Sequence, residues 1–297
     1  MNKIGIIGLG RAGTVLAYLL AERGYQISVV SAKLIGQKNI LLKNHLLAVS
    51  NLEQIIQEAE LLFITTPDKV IHQIAQQLAQ LEPKSVEAVL HLSGSLSVEV
   101  LRPLKEKDIL IGSLHPLQSW AQLEQALTNL PGSTFTFEGD PKLLPWVAPF
   151  VESLACQLVI APDNLNKKLY HAGASIVSNF LVTLIQMGVD CLTKAGFPAA
   201  DAQQALVPLV QGSLNNIHQL SPEKALTGPI VRGDVTTIEN HLEGIGELPA
   251  LLPAYLALGK LTAALALEAD SLETTAYYKI MELLENGGSK NGKTDYQ

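Results

Sequence analysis

The amino-acid sequence predicts an α/β domain with a mostly parallel sheet, followed by an all-α domain. Short apolar runs alternate with amphipathic stretches as far as residue 161, which is the pattern of strands connected by crossover helices. A glycine-rich turn directly follows the first apolar run, and the predicted elements beyond residue 161 are all helical. We therefore place the first domain at residues 1–161 and the second at 162–285, and we expect a disordered polar tail at 286–297.

Composition excludes several classes of protein. The chain has 297 residues, 47% of them hydrophobic, and a net charge of −7, which fits a soluble globular enzyme and argues against a nucleic-acid-binding protein. Cys156 and Cys191 are far apart and lack metal-ligand spacing, so we predict neither a disulfide scaffold nor a metal site. No secretion signal is recognisable near Met1, and we expect a cytoplasmic protein.

Two apolar stretches, at residues 172–192 and 248–267, approach the length of a membrane span. Both contain polar or helix-breaking residues, such as Asn179 in the first and Lys260 in the second, which are costly in lipid. We therefore expect no membrane partner, and we expect these stretches to be buried inside a domain or at a subunit interface.

The first strand ends in the turn Gly8-Leu-Gly-Arg-Ala-Gly13, and a helix is predicted at residues 14–22. This glycine spacing between a strand and a helix is typical of a dinucleotide-binding turn. The first glycine permits the tight turn, the second lets a pyrophosphate approach, and the third lets helix and strand pack closely. The phosphates then meet the positive end of the helix. The residues expected to contact the cofactor here are Gly8, Gly10, Arg11, Ala12 and Gly13.

The second strand, predicted at residues 26–31, ends without the acid that would bind a ribose 2′-hydroxyl. Ser31 and Lys33 stand at this point instead. Because a hydroxyl and a cation suit a 2′-phosphate, the sequence favours NADP as the cofactor, with NAD as the alternative. Lys33 could also be an ordinary solvated lysine.

Further along the predicted sheet, polar residues follow the strands at the edge where ligands of open α/β folds bind. A third strand is predicted at 41–49 and a helix at 52–58, and strands at 60–66 and 88–92 follow. We expect Thr66, Pro67 and Ser93 to contact the cofactor. Asp68 is interpreted as the cap of a helix at 69–80, and His91 as a hydrogen-bonded core residue.

His115 follows a strand predicted at 110–114, and Pro116 is expected to end that strand. The histidine precedes an amide, a hydroxyl and an indole, so it is interpreted either as a structural residue or as part of the site. The remaining predicted elements of the first domain are a strand at 133–137, a helix at 141–153 and a strand at 157–160.

A long helix is predicted at residues 164–194, capped by Asp163. Its polar residues recur at intervals of four, so they are expected to share one side of the helix. In so apolar a helix, such a stripe is interpreted as buried or as lining a cleft, with interhelical hydrogen bonding as the alternative. The stripe consists of Lys167, His171, Ser175 and Asn179.

Further helices are predicted at 199–220, 235–243 and 248–285, and the loop at 226–234 combines glycines and a proline with charged residues. Arg232 in this loop could bind a carboxylate through two parallel hydrogen bonds. The predicted substrate-binding residues are Ser175, Thr227, Arg232 and Asp234. The alternative is that Arg232 and Asp234 pair locally and cap the following helix.

With these motifs in view, the chain resembles Rossmann-like oxidoreductases that carry a C-terminal helical domain of unknown function. These are relatives of pyrroline-5-carboxylate reductase, ketopantoate reductase and the β-hydroxyacid dehydrogenases, with a second domain similar to that of 6-phosphogluconate dehydrogenase. The resemblance depends on the glycine turn, on Leu114-His-Pro-Leu-Gln118, on Tyr170-His171 with Ser178-Asn179, and on Leu226-Thr-Gly-Pro229 with Arg232-Gly-Asp234. It implies an α/β N-terminal Rossmann-like domain with a mostly parallel sheet, an all-α C-terminal domain, and a homodimer formed by the C-terminal helices.

The chain departs from these relatives in one respect. In several of the dehydrogenases, the first helix of the second domain carries a lysine one turn before an asparagine. Here Ser175 stands one turn before Asn179, and His171 stands one turn before Ser175, so the role of the lysine is not transferred. Lys167 and Lys168 lie earlier, and the sequence leaves open whether either reaches the site.

The leading hypothesis is hydride transfer between NADP(H) and a small carbonyl, imine or hydroxyl compound that bears a carboxylate. His171 would be the general acid or base, Asn179 would orient the substrate or the nicotinamide, and His115 would be an auxiliary acid or hydrogen-bond donor. Arg232 would hold the carboxylate. The alternatives are a non-catalytic dinucleotide sensor and a reductase that uses a deazaflavin.

Overall fold

A computed structural model describes residues 1–81 and 84–287. Within these residues, nine strands form one sheet in the order β3-β4-β2-β1-β5-β6-β7-β8-β9. The strands are Lys3–Ile7 (β1), Gln26–Val30 (β2), Asn39–Leu42 (β3), His45–Val49 (β4), Leu61–Ile64 (β5), Ala88–His91 (β6), Leu110–Pro116 (β7), Thr134–Gly139 (β8) and Gln157–Ile160 (β9).

The sheet is mostly parallel, which confirms the predicted fold class. The two antiparallel pairings are β3 with β4 and β7 with β8, whereas the other pairings are parallel. One short strand was predicted within residues 41–49, and β4 lies there, but the hairpin that it forms with β3 was not predicted. Lys43, at φ 50°, adopts the left-handed conformation in its turn, which is uncommon for a residue other than glycine.

Helices cover both faces of this sheet. They are Arg11–Ala21 (α1), Leu52–Glu58 (α2), Asp68–Gln80 (α3), Arg102–Lys105 (α4), Leu123–Asn129 (α5) and Leu144–Ser153 (α6). Side chains alternate between the faces, so that Phe63 packs with the cluster of α1, α5 and α6 while Leu62 and Ile64 pack with that of α2, α3 and α4. Strands covered on both faces explain the continuous apolar runs of the sequence.

Two predicted boundaries in this region were wrong. β7 continues through His115 to Pro116, which pairs with Phe135 of the antiparallel strand β8. A proline is tolerated there because it is the last residue of the strand. The long helix begins at Lys167 instead of Asn164, and it is capped by Asn166 instead of Asp163. The Asn166 Oδ1 atom accepts hydrogen bonds from the backbone N–H groups of Lys168 and Leu169.

The chain divides into two compact units, residues 1–178 and the residues from 179 onward. The long helix Lys167–Lys194 (α7) runs from the first into the second, followed by Ala199–Gln219 (α8), Pro222–Ala225 (α9), Val235–Ile245 (α10), Leu252–Glu268 (α11) and Thr274–Glu285 (α12). The helix predicted at 248–285 is therefore two helices, separated at Asp270 with φ 53°. The core of the second unit is formed mainly by α10, α11 and α12. Most of the predicted disordered tail, residues 288–297, lies outside the described residues.

The glycine turn after β1 is held by close packing. A Cβ atom at Gly13 would lie 2.0 Å from the Gly8 carbonyl oxygen and 2.6 Å from Thr65 Oγ1. The Thr65 hydroxyl donates a hydrogen bond to that same carbonyl at 2.5 Å. Gly10, in contrast, has nothing within 4 Å of its would-be Cβ. The turn is therefore crowded on its inner side and open at Gly10.

This contrast predicts different effects for two alanine substitutions. Gly13→Ala should lower the free energy of unfolding of the first unit by about 2–3 kcal/mol, because the added methyl group cannot fit without moving the turn. Gly10→Ala should cost less than about 1 kcal/mol. Both tryptophans, Trp120 and Trp146, belong to the first unit, so urea denaturation followed by tryptophan fluorescence measures this directly. Equal losses of stability in the two variants would contradict the packing described here.

Candidate functional site

The N-terminus of α1 is open at the carboxyl edge of the sheet. The N-cap residue Gly10 makes no capping hydrogen bond through a side chain, and the first turn of α1 contains no acidic residue. Backbone N–H groups at such a helix start attract phosphate groups. Beside the turn, the Thr66 Oγ1 atom is buried and has no hydrogen-bond partner within the described residues. The predicted contacts at Gly8, Gly10, Arg11, Ala12, Gly13 and Thr66 thus surround a place that suits a dinucleotide.

A hollow of about 540 Å³ lies at the carboxyl ends of β2 and β4, and Ser31 lines it. The Ser31 Oγ atom accepts a hydrogen bond from the backbone N–H of Lys33, which starts the short 3-10 turn Ala32–Leu34. Lys33 itself is exposed. Glu53, in the first turn of α2, also lines the hollow, so a carboxylate does reach this region, although not from the strand end.

The side chain of His115 is held between the sheet and the first turn of α7. Its Nδ1 atom lies 2.8 Å from the Tyr170 hydroxyl, and the two rings meet edge to face at 5.5 Å between centroids. The Tyr170 hydroxyl donates a hydrogen bond to Thr136 Oγ1 on β8 at 2.9 Å. A Cβ atom at Gly94 would lie 2.5 Å from His115 Nε2, so only a glycine lets the loop after β6 pass so close to this ring.

Lys167, one turn before Tyr170, is a buried cation. Its side chain is 6% exposed, and its Nζ atom lies 3.0 Å from Glu138 Oε2 on β8. It also donates a hydrogen bond to Ser113 Oγ on β7 at 3.4 Å. Such a charge is tolerated in the interior only when it is paired. The first turn of α7 is therefore tied to two neighbouring strands by polar contacts.

The strand β6 ends in a second polar cluster. His91 is fully buried, with Nδ1 accepting from the backbone N–H of Ser93 and Nε2 facing the carbonyl oxygen of Ser97, which confirms that it is a hydrogen-bonded core residue. Ser95 donates to Asp68 Oδ2 at 2.5 Å. Asp68 was expected to cap the following helix, but it lies in the first turn of α3, whose N-cap is Pro67.

Burial and nearby charge keep both histidines neutral. Burial lowers the pKa of His91 from 6.5 to about 4, and the Lys167 ammonium acts in the same direction. The pKa of His115 is also lowered to about 4, first by burial, then by Lys167 and by His171. A neutral imidazole carries one proton and offers one free lone pair, so neither ring is a cation at pH 7.

The polar stripe predicted along α7 is divided by the structure. Lys167 is buried, whereas His171 and Asn179 are exposed and Ser175 is half-buried. Positions four apart drift by about 40° around a helix of 3.6 residues per turn, so the stripe does not stay on the face that packs against the sheet. His171 and Asn179 are therefore not buried, whereas the alternative that they line a cleft, and their chemical roles, stay predictions.

The helix α7 is also long and apolar enough to cross a membrane by length and composition alone. Only 6% of its apolar window is buried, so its expected burial inside a domain was wrong. Its large exposed apolar residues are Leu169, Ile176, Val177, Phe180, Val182 and Leu184.

In the second unit, the predicted loop at 226–234 leads into α10. Asp234 caps this helix, because its carboxylate accepts hydrogen bonds from the backbone N–H and the hydroxyl of Thr237. These bonds lower the pKa of Asp234. The predicted alternative of a capping aspartate is thus confirmed, although its partner is Thr237 instead of Arg232. Thr227 and Arg232 are exposed, and their binding roles stay predictions.

The sequence patterns did not identify several residues around His115. Lys167, Tyr170, Thr136, Glu138 and Gly94 were not predicted as site residues, although Lys167 had been placed in the polar stripe. The available signal was the spacing of Lys167 and Tyr170, three residues apart on a helix, which puts them on neighbouring positions of one face. No group of three potential metal ligands occurs in residues 1–81 and 84–287.

Comparisons with known proteins agree with this architecture. Residues 1–116 match the family model of the Rossmann-like domain, and residues 133–262 match that of the domain of unknown function DUF2520. This confirms the resemblance inferred from the sequence motifs. The chain also aligns with a glycerol-3-phosphate dehydrogenase (NAD(P)+) of Lactiplantibacillus plantarum. The two sequences are 28% identical over 121 residues, which is 36% of each chain. The matches span only between 28% and 44% of the length of such curated relatives.

Two solved structures share the fold over most of their length. A protein of Bacteroides fragilis, named provisionally as an NADP oxidoreductase, has a TM-score of 0.70 at 22% identity, with 89% of this chain and 98% of that chain covered. The pyrroline carboxylate reductase of Plasmodium falciparum, solved with NADP bound, has a TM-score of 0.58 at 13% identity, with coverages of 97% and 98%.

The neutral histidines predict a loss of stability in acid. A group that is neutral and buried when folded, with a pKa of about 4 against 6.5 when unfolded, binds more protons in the unfolded state between these values. The free energy of unfolding of the first unit should therefore fall as the pH drops from 6.5 to 4, by at most about 3 kcal/mol for each histidine. Urea titrations at several pH values, followed by tryptophan fluorescence, measure this slope.

A pair of variants assigns that slope. His91→Gln should flatten it, even if the variant is less stable at every pH, because the slope and not the absolute value reports the titration. His218→Gln, on the exposed surface of α8, should leave the slope unchanged. An identical slope in wild type and His91→Gln would rule out His91 as its source.

Proposed function

We propose that this chain, which joins a Rossmann-like domain to a DUF2520 domain, is an NADP-dependent oxidoreductase. Its substrate would be a small carbonyl, imine or hydroxyl compound that bears a carboxylate. One observation carries the proposal: the open glycine turn and the His115 cluster lie at the carboxyl edge of the same parallel sheet, on β1 and β7. Ligands of open α/β folds bind along that edge.

The residues present fit a dinucleotide. The N-terminus of α1 would hold the pyrophosphate, Gly10 would leave it room, and the unpartnered Thr66 hydroxyl would gain a hydrogen bond. Pro67 and Ser93 follow the next strands at the same edge. The adenosine end would lie in the hollow beside Ser31, with Lys33 near the 2′-phosphate. When bound, the cofactor supplies or accepts the hydride.

The other side of the sheet edge supplies the polar groups for a substrate. His115 lies beside the first turn of α7, and His171, Ser175 and Asn179 further along that helix remain our candidates for proton transfer and orientation. Imidazole is the side chain most often used for proton transfer in enzymes. Arg232 is proposed to bind the carboxylate, and Thr227 and Asp234 to contact other parts of the substrate, in the same chain or from a second copy.

Calorimetric titration with NADPH and NADH tests the cofactor. NADPH should bind more tightly than NADH, and Lys33→Ala should weaken NADPH about tenfold, the size expected for one charge-assisted hydrogen bond. NADH should be almost unaffected. Lys107→Ala is the matched control, since this exposed lysine precedes β7 and so lies at the opposite edge of the sheet. If neither nucleotide binds, the proposed function is lost.

A non-catalytic dinucleotide sensor is the second candidate. It is favoured by the absence of the lysine that several dehydrogenases use, since His171 stands one turn before Ser175 and two turns before Asn179. A protein that binds NADPH but oxidises it with none of a panel of keto acids and imino acids would support the sensor. Turnover with any of them would support the enzyme.

We also propose a homodimer formed by the C-terminal helices. The support is the apolar surface that α7 and α8 leave exposed, since patches of this kind usually mark an interface. On α8 the exposed apolar residues include Val207, Leu209, Leu214 and Ile217. A second copy covers such a surface without requiring the polar first turn of α7 to leave the sheet, as a membrane position would.

Phe180→Asp tests this interface. Phe180 is 58% exposed on α7, so the substitution should leave the folded chain intact but shift the dimer to monomer, because a carboxylate in an apolar interface is costly. Leu46→Asp, at a site that is 70% exposed on the β3–β4 hairpin, should not change the mass. Light scattering after gel filtration gives both masses. A wild-type chain that is monomeric at every concentration would contradict the homodimer.

A further inference from the structure

His115 and Tyr170 form a pair in which the direction of each hydrogen bond can be deduced. The Tyr170 hydroxyl has one proton, and it donates that proton to Thr136 Oγ1 at 2.9 Å. The same oxygen lies 2.8 Å from His115 Nδ1. Because its proton is already used, it can only accept a hydrogen bond from Nδ1. Nδ1 must therefore carry the proton of the neutral imidazole, which leaves Nε2 as a bare lone pair.

We propose that Tyr170 and Thr136 lock His115 in the Nδ1–H tautomer, so that Nε2 serves as a hydrogen-bond acceptor for a bound ligand. This reverses the role first inferred from the sequence, in which His115 was an acid or a donor. Tyr170 and Thr136 are positioning residues, since they act through His115. The ligand is the part that rests on the proposed function: the N–H group of the nicotinamide carboxamide.

The place of His115 in the sheet supports that ligand. The hollow beside Ser31 lies at β2 and β4, on one side of β1, whereas His115 lies on β7, beyond β5 and β6 on the other side. A dinucleotide that spans the crevice puts its two halves on opposite sides of the central strand. With the adenosine at Ser31, the nicotinamide half lies toward β5, β6 and β7.

The groups around the ring are consistent with an uncharged acceptor. Lys167, Tyr170 and His171 face it from α7, His91 from β6 and Asp68 from α3. Two of these, Lys167 and His171, disfavour a second proton on the ring, and only Asp68 opposes them. Gly94 brings the loop after β6 close to the ring without placing a side chain against Nε2.

A second histidine–tyrosine pair in the chain lacks the lock. His241 Nδ1 lies 2.9 Å from the Tyr255 hydroxyl, and the rings again meet edge to face. Among the hydrogen bonds of the described residues, the Tyr255 hydroxyl has no further acceptor like Thr136, so its proton is free to point at His241. This pair is therefore a matched control within the same molecule.

Nitrogen-15 NMR of histidine-labelled protein measures the tautomer without any ligand or activity. The His115 signals are those missing from His115→Gln. In wild type at pH 7, one nitrogen should show the shift of a protonated Nδ1 and the other that of an unprotonated Nε2. A protonated Nε2, or a ring with two protons, would overturn the lock.

Two variants separate the lock from a merely structural role. Thr136→Val is isosteric and leaves the Tyr170 hydroxyl in place, but that hydroxyl then turns its proton toward Nδ1, so the imidazole proton should move to Nε2. Tyr170→Phe should give a mixture of both tautomers. Tyr255→Phe should change only the His241 signals. A Thr136→Val spectrum identical to that of wild type would overturn the proposal.

The ligand is tested by adding NADPH, or its 3-acetylpyridine analogue, in which a methyl ketone replaces the amide and its N–H groups. NADPH should shift the His115 Nε2 signal toward the protonated position, and the bound analogue should not. Thr136→Val should weaken NADPH about tenfold, because an Nε2–H group would face another donor. Equal shifts with both nucleotides, or none with bound NADPH, would overturn the carboxamide as the donor.

The two ideas fail separately. If calorimetry finds no binding of NADPH, both the proposed function and the proposed contact of His115 with the carboxamide are lost. The tautomer of His115 in the free protein still tests whether Tyr170 and Thr136 fix its proton on Nδ1. If NADPH binds but His115 carries its proton on Nε2, the lock is wrong and the cofactor proposal stands.

Discussion

The ion pair between Lys167 and Glu138 is the constraint on which the site depends. An ammonium group that is 6% exposed costs several kcal/mol to desolvate, and this cost is offset only when the geometry of its partner is good. This pair, together with the hydrogen bond from Lys167 to Ser113 Oγ, holds the start of α7 beside β7 and β8. Tyr170, one turn further along, is thereby brought to His115 and Thr136. The same charge adds to the effect of burial in lowering the pKa of His91 and His115, so one interaction contributes both to the geometry and to the protonation of the cluster.

The parts of the fold that depend on local sequence were predictable. Apolar runs covered on both faces, and a glycine turn between strand and helix, identify a parallel sheet without knowledge of distant contacts. The β3–β4 hairpin was not predictable in this way, because its turn uses Lys43 at positive φ where the usual signal is a glycine or asparagine. The end of β7 was missed for a related reason. A proline such as Pro116 ends a strand only where the neighbouring strand requires a hydrogen bond from its missing N–H group. The position of the neighbouring strand cannot be deduced from the local sequence.

The candidate site was predictable only in part, since a helical pattern states which residues share a face but not which face is covered. Lys167 and His171 were placed together on one stripe, yet the sheet covers the side of Lys167 and Tyr170 and leaves His171 exposed. The role of His115 could not be deduced either, because its proton position depends on Thr136, which lies 21 residues further along the sequence in a strand of opposite direction. Likewise, the absence of an acid at the end of β2 was visible, but the approach of Glu53 from α2 was not.

The two ends of α7 have different surroundings. Its first turn carries a buried cation and a hydrogen-bonded tyrosine, which fixes that turn in the first unit. Beyond it, large apolar side chains such as Val177 and Val182 are 72% and 69% exposed, and each would gain roughly 1.5–3 kcal/mol if fully buried. A bilayer could bury them, but the helix also exposes Asn179, and its Gln186 donates to Asp190 on the surface, so its polar groups would enter lipid with them. A second protein surface can cover the apolar side chains and leave the polar ones in water, and for this reason we propose a protein partner for α7 instead of a membrane.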